Sequence, residues 1–247
     1  MPTSAVALVL QDSPQKLGLL ADGETSNRFK SEVRIAQNGI TPRAALNSST
    51  FWLIASALFL VGTSVHGCVI HLVPLLTDRG VSPTTAAFAS SLVGIAILFS
   101  RVGSGYLLDH LFASIVAGCF FAAASLGMWL FWAGLGGKFL FLAVVLVGLG
   151  MGAEVDVIAY LTSRYFGLRS LGEIYGFFFA IYTLSGALGP ILMAKGFDRA
   201  GSYRLVLLCF SLGTLVAVAL ISRLGPYQYS STLSTNYPVE AEAVGTN

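Results

Sequence analysis

Three charged side chains, Arg101, Glu154 and Asp156, stand inside long apolar stretches of this sequence. A charge at the centre of a membrane-spanning helix costs about 2.5–3.5 kcal/mol on insertion scales, so each needs a cavity, a partner or a function. Glu154 and Asp156 are two residues apart and leave a helix on opposite sides, so they cannot act as one paired-carboxylate acid–base site. One can face a central cavity while the other meets a neighbouring helix. The chemistry open to them is proton carriage or cation pairing; the alternative is a buried structural ion pair. Arg101 carries a permanent charge on a planar fork that suits a carboxylate, or else it is a helix-end arginine whose head reaches the lipid headgroups. His66 falls near mid-membrane, where it lines a cavity or packs as a hydrogen-bonded histidine. His66 and His71 are five apart and do not share a face as i,i+4 metal ligands would. Cys68, Cys119 and Cys209 are scattered, with no CxxC or Cys/His cluster. No metal and no cofactor is expected.

The elements that hold these residues follow from composition. The chain is 55% hydrophobic and 11% charged, with a mean hydropathy of +0.77, against about 25% charged in soluble domains. A net charge of +2 and the lack of a basic run with interleaved aromatics give no reason to expect a nucleic-acid partner. About 20 apolar residues cross a hydrocarbon core, and six such runs are present: 51–76, 83–108, 111–134, 138–163, 171–194 and 202–224. They are continuously apolar, which argues for helices over the ten-residue alternation of a barrel. The fold class is an all-α membrane protein of six transmembrane helices. Trp52, Trp129 and Trp132 fall at span ends, as an interfacial belt requires. At 1.5 Å per residue, Glu154 and Asp156 lie roughly 22 and 25 Å from Phe139, and Arg101 roughly 27 Å from Pro83.

Three segments organise the chain: 1–50, a weakly apolar start without a basic n-region followed by a polar arm; 51–225, the six-helix bundle; and 226–247, a polar tail expected to be disordered. Six spans put both termini on one side. With that side taken as the cytoplasm, nine Lys and Arg fall inside and five outside, in line with the positive-inside rule. The 27 glycines include Gly148, Gly150 and Gly152, the i,i+4 pair Gly172 and Gly176, and Gly186, Gly189 beside Pro190. Small residues so spaced let backbones approach in lipid, and Gly and Pro also supply bends.

Residues 100–110 read SRVGSGYLLDH. This resembles the G-R-x-x-x-G-x-L-x-D-R loop motif of the major facilitator superfamily, in the copy after the eighth helix: Arg101, Gly105, Leu107 and Asp109 match, while Ser100 and His110 depart. Residues 152–167, GAEVDVIAYLTSRYFG, resemble the tenth helix and following loop of monocarboxylate-transporter-like members. Gly186 to Pro190 resembles the bend of the eleventh helix, and 14–24 is similar to the central cytoplasmic loop.

The resemblance implies that the six spans are helices seven to twelve of a twelve-helix carrier, one half of a major facilitator-type bundle with an inverted 3+3 repeat rocking about a midplane site. The first ten residues would then end helix six. It implies an oxalate/formate-antiporter-like or monocarboxylate-like carrier in the cell (inner) membrane, moving a small organic anion with protons as the coupled partner. Arg101 would hold a carboxylate, with His66 lining the site. Glu154 or Asp156 would take up a proton. Gly105, Asp109, Arg164 and Arg169 would form a gating loop, with Asp109 either capping the next helix or pairing with Arg164 or Arg169. Two departures stand out: no charge lies between Ile174 and Ala194 where oxalate carriers have a lysine, which favours a monoanion over a dianion, and Ile97 stands where some relatives carry aspartate, which leaves the proton-coupling route open.

An intramembrane serine protease of six helices needs Gly-x-Ser-Gly, and Val102-Gly103-Ser104-Gly105 lacks the first glycine, so no enzyme is expected. The other open reading is a truncated or non-transporting membrane subunit. A half carrier has one wall of a central cavity and needs an amino-terminal six-helix half or a second copy to cover its polar residues.

Overall fold

The computed structural model describes residues 38–229. The expected end of a preceding helix, most of the polar arm and the tail beyond Tyr229 lie outside the described residues. Eight helices follow in order: α1 (Pro42–Leu46), α2 (Ser49–Ile70), α3 (Leu72–Asp78), α4 (Pro83–His110), α5 (Ala113–Ala133), α6 (Lys138–Phe166), α7 (Leu171–Ala200) and α8 (Arg204–Ser222). Six of them, α2 and α4 to α8, are long and apolar enough to cross a membrane. Among the described residues there is no strand, only an isolated bridge between Gly39 and Gly167.

Local chemistry sets the helix ends. The Ser48 hydroxyl accepts from the Phe51 amide and the Ser82 hydroxyl from the Thr85 amide, with Pro83 in the first turn of α4. Gly134 and Gly201 take the left-handed conformation that ends α5 and α7. The first span is not one helix to residue 76, as its hydropathy predicts. It breaks at His71, because Pro74 has no N–H for the Ile70 carbonyl and its ring would collide with that turn. The fifth span runs past Ala194 to Ala200; the helix outlasts its apolar segment, since the polar turn Lys195–Ala200 needs no hydrocarbon around it.

The bundle has an internal two-fold pattern. Packing neighbours run α4–α6–α5–α8–α2–α7, and the order reads the same backwards when α2, α4 and α5 are exchanged for α6, α7 and α8. This is the relation expected of two three-helix repeats. The end members are bare. In their most apolar stretches only 28% of α4 and 22% of α7 is buried, against 61% of α2.

The segments that enter and leave the bundle meet at one end. The Ile40 amide donates to Phe166 O at 3.0 Å and the Tyr229 amide to Arg164 O at 3.0 Å, and the Tyr165 hydroxyl donates to Gly225 O at 2.6 Å. Tyr227 stacks on Phe112 with 4.2 Å between centroids. The polar tail is therefore packed against the helices through Tyr229 and does not loosen at Pro226. At the described ends the cation balance is even: Arg43, Arg101, Arg164, Arg169 and Arg223 on this side, Arg79, Lys138, Lys195, Arg199 and Arg204 on the other. The expected excess rests on Lys16, Arg28, Lys30 and Arg34, which lie outside the described residues.

Candidate functional site

The two carboxylates of α6 separate as their spacing predicts. Gly148, Gly152 and Asp156 recur every fourth residue and face α4. A Cβ on Gly148 would come within 2.8 Å of Ala96 Cβ, and one on Gly152 within 2.7 Å of Ile97 O, so the backbones touch here because both glycines lack side chains. Ser100 Oγ donates to Leu149 O at 2.5 Å. One turn on, Ser104 Oγ donates to Asp156 Oδ2 at 2.7 Å. Asp156 is thus the carboxylate that meets a neighbouring helix, through a hydroxyl and not through a cation.

Asp156 also borders a crevice of about 460 Å³ between the ends of α4 and α6, together with Arg101, Gly105, Asp109, Tyr160 and Ser163. The loop motif and the tenth-helix segment of the sequence therefore meet in space. Arg101 is exposed, and no hydrogen bond or ion pair among the described residues engages its guanidinium. Gly105 and Asp109 are exposed as well, and a Cβ on Gly105 would meet nothing within 4 Å.

Glu154 lies on the other side of α6. It is 1% exposed, and among the described residues neither carboxylate oxygen has a hydrogen-bond partner. The hydroxyl of Tyr182, on α7, is a polar neighbour of Glu154. That hydroxyl also lies 3.4 Å from Nε2 of His66 on α2, with the two rings edge to face at 5.2 Å. His66 Nδ1 is 2.9 Å from Gly62 O. A carbonyl can only accept, so Nδ1 carries the hydrogen and Nε2 is the free base that faces Tyr182. A Cβ on Gly186 would stand 3.3 Å from the imidazole; glycine there leaves room for the ring. His66 is consequently both hydrogen-bonded and part of a polar group with Tyr182 and Glu154.

Of the two roles expected of Asp109, the structure excludes the cap. Asp109 does not cap α5: the first amide of that helix, Ala113 N–H, donates to the Tyr227 hydroxyl at 2.6 Å, and α5 has no side-chain cap from its own N-cap residue. The reason is reach, because His110, Leu111 and Phe112 separate Asp109 from the helix start while Tyr227 folds over it. Arg164 lies over the rings of Tyr160 and Tyr227, 4.8 and 5.6 Å from their centroids, and donates to the Tyr160 hydroxyl at 2.9 Å. Arg169 is exposed beside the Gly167 turn, where its amide donates to Asn38 O at 3.3 Å.

Tyr182 and Tyr227 are polar residues that sequence reading passed over, and Ser104 drew notice there only through a protease motif it does not complete. Tyr182 had a usable signal: it stands four residues before Gly186 and seven before Gly189, on the face of α7 turned to α2.

Six helices able to span a membrane, arranged in two related triplets, define an integral multi-pass membrane protein. Residues 3–190 match the family model described as Major Facilitator Superfamily, and the chain belongs to that superfamily. The structure is similar to a crystal structure of the Escherichia coli fucose:proton symporter FucP, with a TM-score of 0.62 and 17% identity over 74% of this chain. At that identity the likeness is one of fold. The match covers 45% of the symporter's chain, so this chain spans less than half of that protein's length. No curated protein matches it.

Proposed function

We propose that the chain is the carboxy-terminal half of a secondary transporter that carries a small organic anion, such as a monocarboxylate, by alternating access. In this reading residues 51–225 form one wall of the central cavity, 1–50 are the end of a preceding helix and the cytoplasmic central loop, and 226–247 are a cytoplasmic tail. The carrier sits in the cell (inner) membrane with both ends inside. An amino-terminal six-helix half, or a second copy, covers the bare faces of α4 and α7.

The observation that carries the reading is Arg101. An arginine within a spanning helix, exposed on the sparsely covered α4 and held by no carboxylate among the described residues, supports an anion-binding role. One carboxylate substrate would satisfy its fork. His66 supplies a second polar contact across the site, and Glu154 or Asp156 takes the coupled proton. The symporter of similar fold is named for coupling its sugar to a proton, so the architecture tolerates such coupling.

The test is uptake of radiolabelled monocarboxylates into vesicles holding this chain with its amino-terminal half. Arg101→Ala abolishes saturable uptake if Arg101 binds the anion. Unchanged uptake removes Arg101 from the site. Six further apolar spans encoded upstream in frame, or in an adjacent gene, would support the half reading; a functional lone chain would favour the second copy.

A further inference from the structure

The end of the bundle away from the chain's entering and leaving segments holds a second cavity, of about 470 Å³, within the size range of small-ligand sites. It lies between the end of α3, the α5–α6 loop and the start of α8. Val81, on its wall, stands just before α4, and Arg101 lies roughly 27 Å along that helix from Pro83, so this cavity is separate from the Arg101 crevice. Leu75, Trp132 and Leu140 give it an apolar side, and Arg79 and Arg204 give it two cations.

The two arginines differ in what explains them. Arg79 is half-buried, lies 5.8 Å from the centre of the Phe131 ring and donates to Phe131 O near the end of α5, where a cation is favoured by the helix dipole. That bond engages one guanidinium nitrogen and fixes the group, with further N–H donors left over. Arg204 has no such role. It is exposed, and among the described residues nothing hydrogen-bonds to its guanidinium. It is also the first residue of α8, where a cation opposes the helix dipole and costs stability. The start of α6 adds to the same excess, because Lys138 is its first residue. Neither α6 nor α8 has a side-chain cap or an acidic residue in its first turn, so the first amides of both lack a side-chain acceptor. The carboxylate on the wall is Asp78, which forms no ion pair among the described residues. Two guanidiniums against one carboxylate, beside two helix N-termini, leave the cavity positive, and a bound anion relieves that.

We propose that this cavity binds an oxyanion head carrying an apolar group, the head held by Arg79 and Arg204 and the apolar part lying against Trp132 and Leu140. The inference does not depend on the carrier reading above. The ligand class follows from the two-sided lining. Guanidinium forks match a carboxylate or a phosphate, and the apolar side rewards burial of a hydrocarbon group. A free organic carboxylate and the phosphate head of an anionic lipid share this chemistry.

The test uses the full chain in phosphatidylcholine nanodiscs, with Trp52→Phe and Trp129→Phe so that Trp132 is its single indole. The probe is 4-nitrobenzoate, a carboxylate whose ring quenches indole fluorescence. It should quench Trp132 saturably, and the uncharged 4-nitrobenzamide should not at the same concentrations. Arg204→Gln should raise the Kd about tenfold, the low end for loss of a hydrogen bond to a charged group, with no fall in thermal stability, since it removes a cation from a helix N-terminus. Lys195→Gln removes an exposed cation of the same end that does not line the cavity, and should leave the Kd unchanged. Calorimetric titration of the chain with all three tryptophans should show a site of the same Kd, equally weakened by Arg204→Gln, so the result does not hang on the Trp replacements. Adding phosphatidylglycerol separates the two sources. Competition with 4-nitrobenzoate that Arg204→Gln relieves assigns the cavity to a lipid head, and no competition assigns it to a free anion; either upholds the site. Equal quenching by the amide, an unchanged Kd in Arg204→Gln, or a Kd raised as much by Lys195→Gln overturns it.

Discussion

The α4·α6 and α2·α7 contacts occupy equivalent places in the two-fold pattern, yet they are fastened differently. Both rely on small residues: Ala96 and Ser100, four apart, against Gly148 and Gly152 in one, and Gly62 and Gly67, five apart, against Ser185 and Gly189 in the other. The α4·α6 contact adds two hydrogen bonds across the helices, Ser100 to Leu149 O and Ser104 to Asp156. In α2·α7 the Ser185 hydroxyl turns back to Tyr182 O of its own helix at 2.6 Å, and the polar contact that does cross is the 3.4 Å approach of Tyr182 to His66. Bends also gather there: Pro190 lies inside α7, and α2 breaks before Pro74. One contact is a fixed frame for the Arg101 crevice. The other combines backbone contact, bends and ionisable groups, the combination a moving helix pair uses.

Substituting the closest glycines breaks the comparison most directly. A Cβ on Gly189 would lie 2.2 Å from Thr63 O and 2.8 Å from Gly67 N. Both are backbone atoms of a packed helix and cannot swing aside, so Gly189→Val should abolish the folded protein, seen as loss of a monodisperse peak in detergent. Gly152→Ala meets Ser100 Cβ at 2.6 Å and Ile97 O at 2.7 Å. A small shift of α4 relieves it, at about 1–3 kcal/mol for overpacking, measured by thermal unfolding in detergent. If Gly152→Ala proved the worse of the two, closeness of backbone contact would not set the cost, and the two cross-helix hydrogen bonds of α4·α6 would hold α4 against the shift.

Ser104→Ala is the milder probe of the same frame. Interhelical hydrogen bonds in membrane proteins average about 0.6 kcal/mol, so this variant should lose roughly that amount, and Asp156→Asn, which keeps an acceptor for Ser104, should lose less. A loss several times larger would mean that Asp156 is not solvated in its crevice and that the contrast with Glu154 is weaker than its burial indicates.

Much of this was legible in the sequence. Hydropathy located the six spans, and Ser82-Pro83 fixed the start of α4 because a cap and a prolyl turn act locally. The i,i+2 spacing of Glu154 and Asp156 already forced them onto different neighbours. What stayed hidden depends on partners distant in sequence. Tyr182 reads as one more aromatic in an apolar run until α2 brings His66 beside it. Tyr227 lies in a segment whose polarity suggests disorder, and only the fold shows it stacked on Phe112 and capping α5. The break at His71 was signalled by Pro74, but a 26-residue apolar run masks a kink because hydropathy averages over it.

The smallest expected effect sharpens the comparison from outside the contacts. Gly172 and Gly176 were expected to pack a helix by their i,i+4 spacing, yet a Cβ on either meets nothing within 4 Å. Both are exposed on α7, the least buried span. Within this chain Gly172→Ala and Gly176→Ala should therefore be neutral or stabilising, by up to about 1 kcal/mol each, since alanine is the better helix former. The same substitutions separate the chain from the assembly. If the bare face of α7 receives an amino-terminal half through close backbone contact, they should leave the thermal stability of the lone chain unharmed and weaken its association with that half. Equal behaviour of both variants alone and in the assembly would place the partner's contact elsewhere on α4 and α7, and would leave the spacing of these glycines without a packing role.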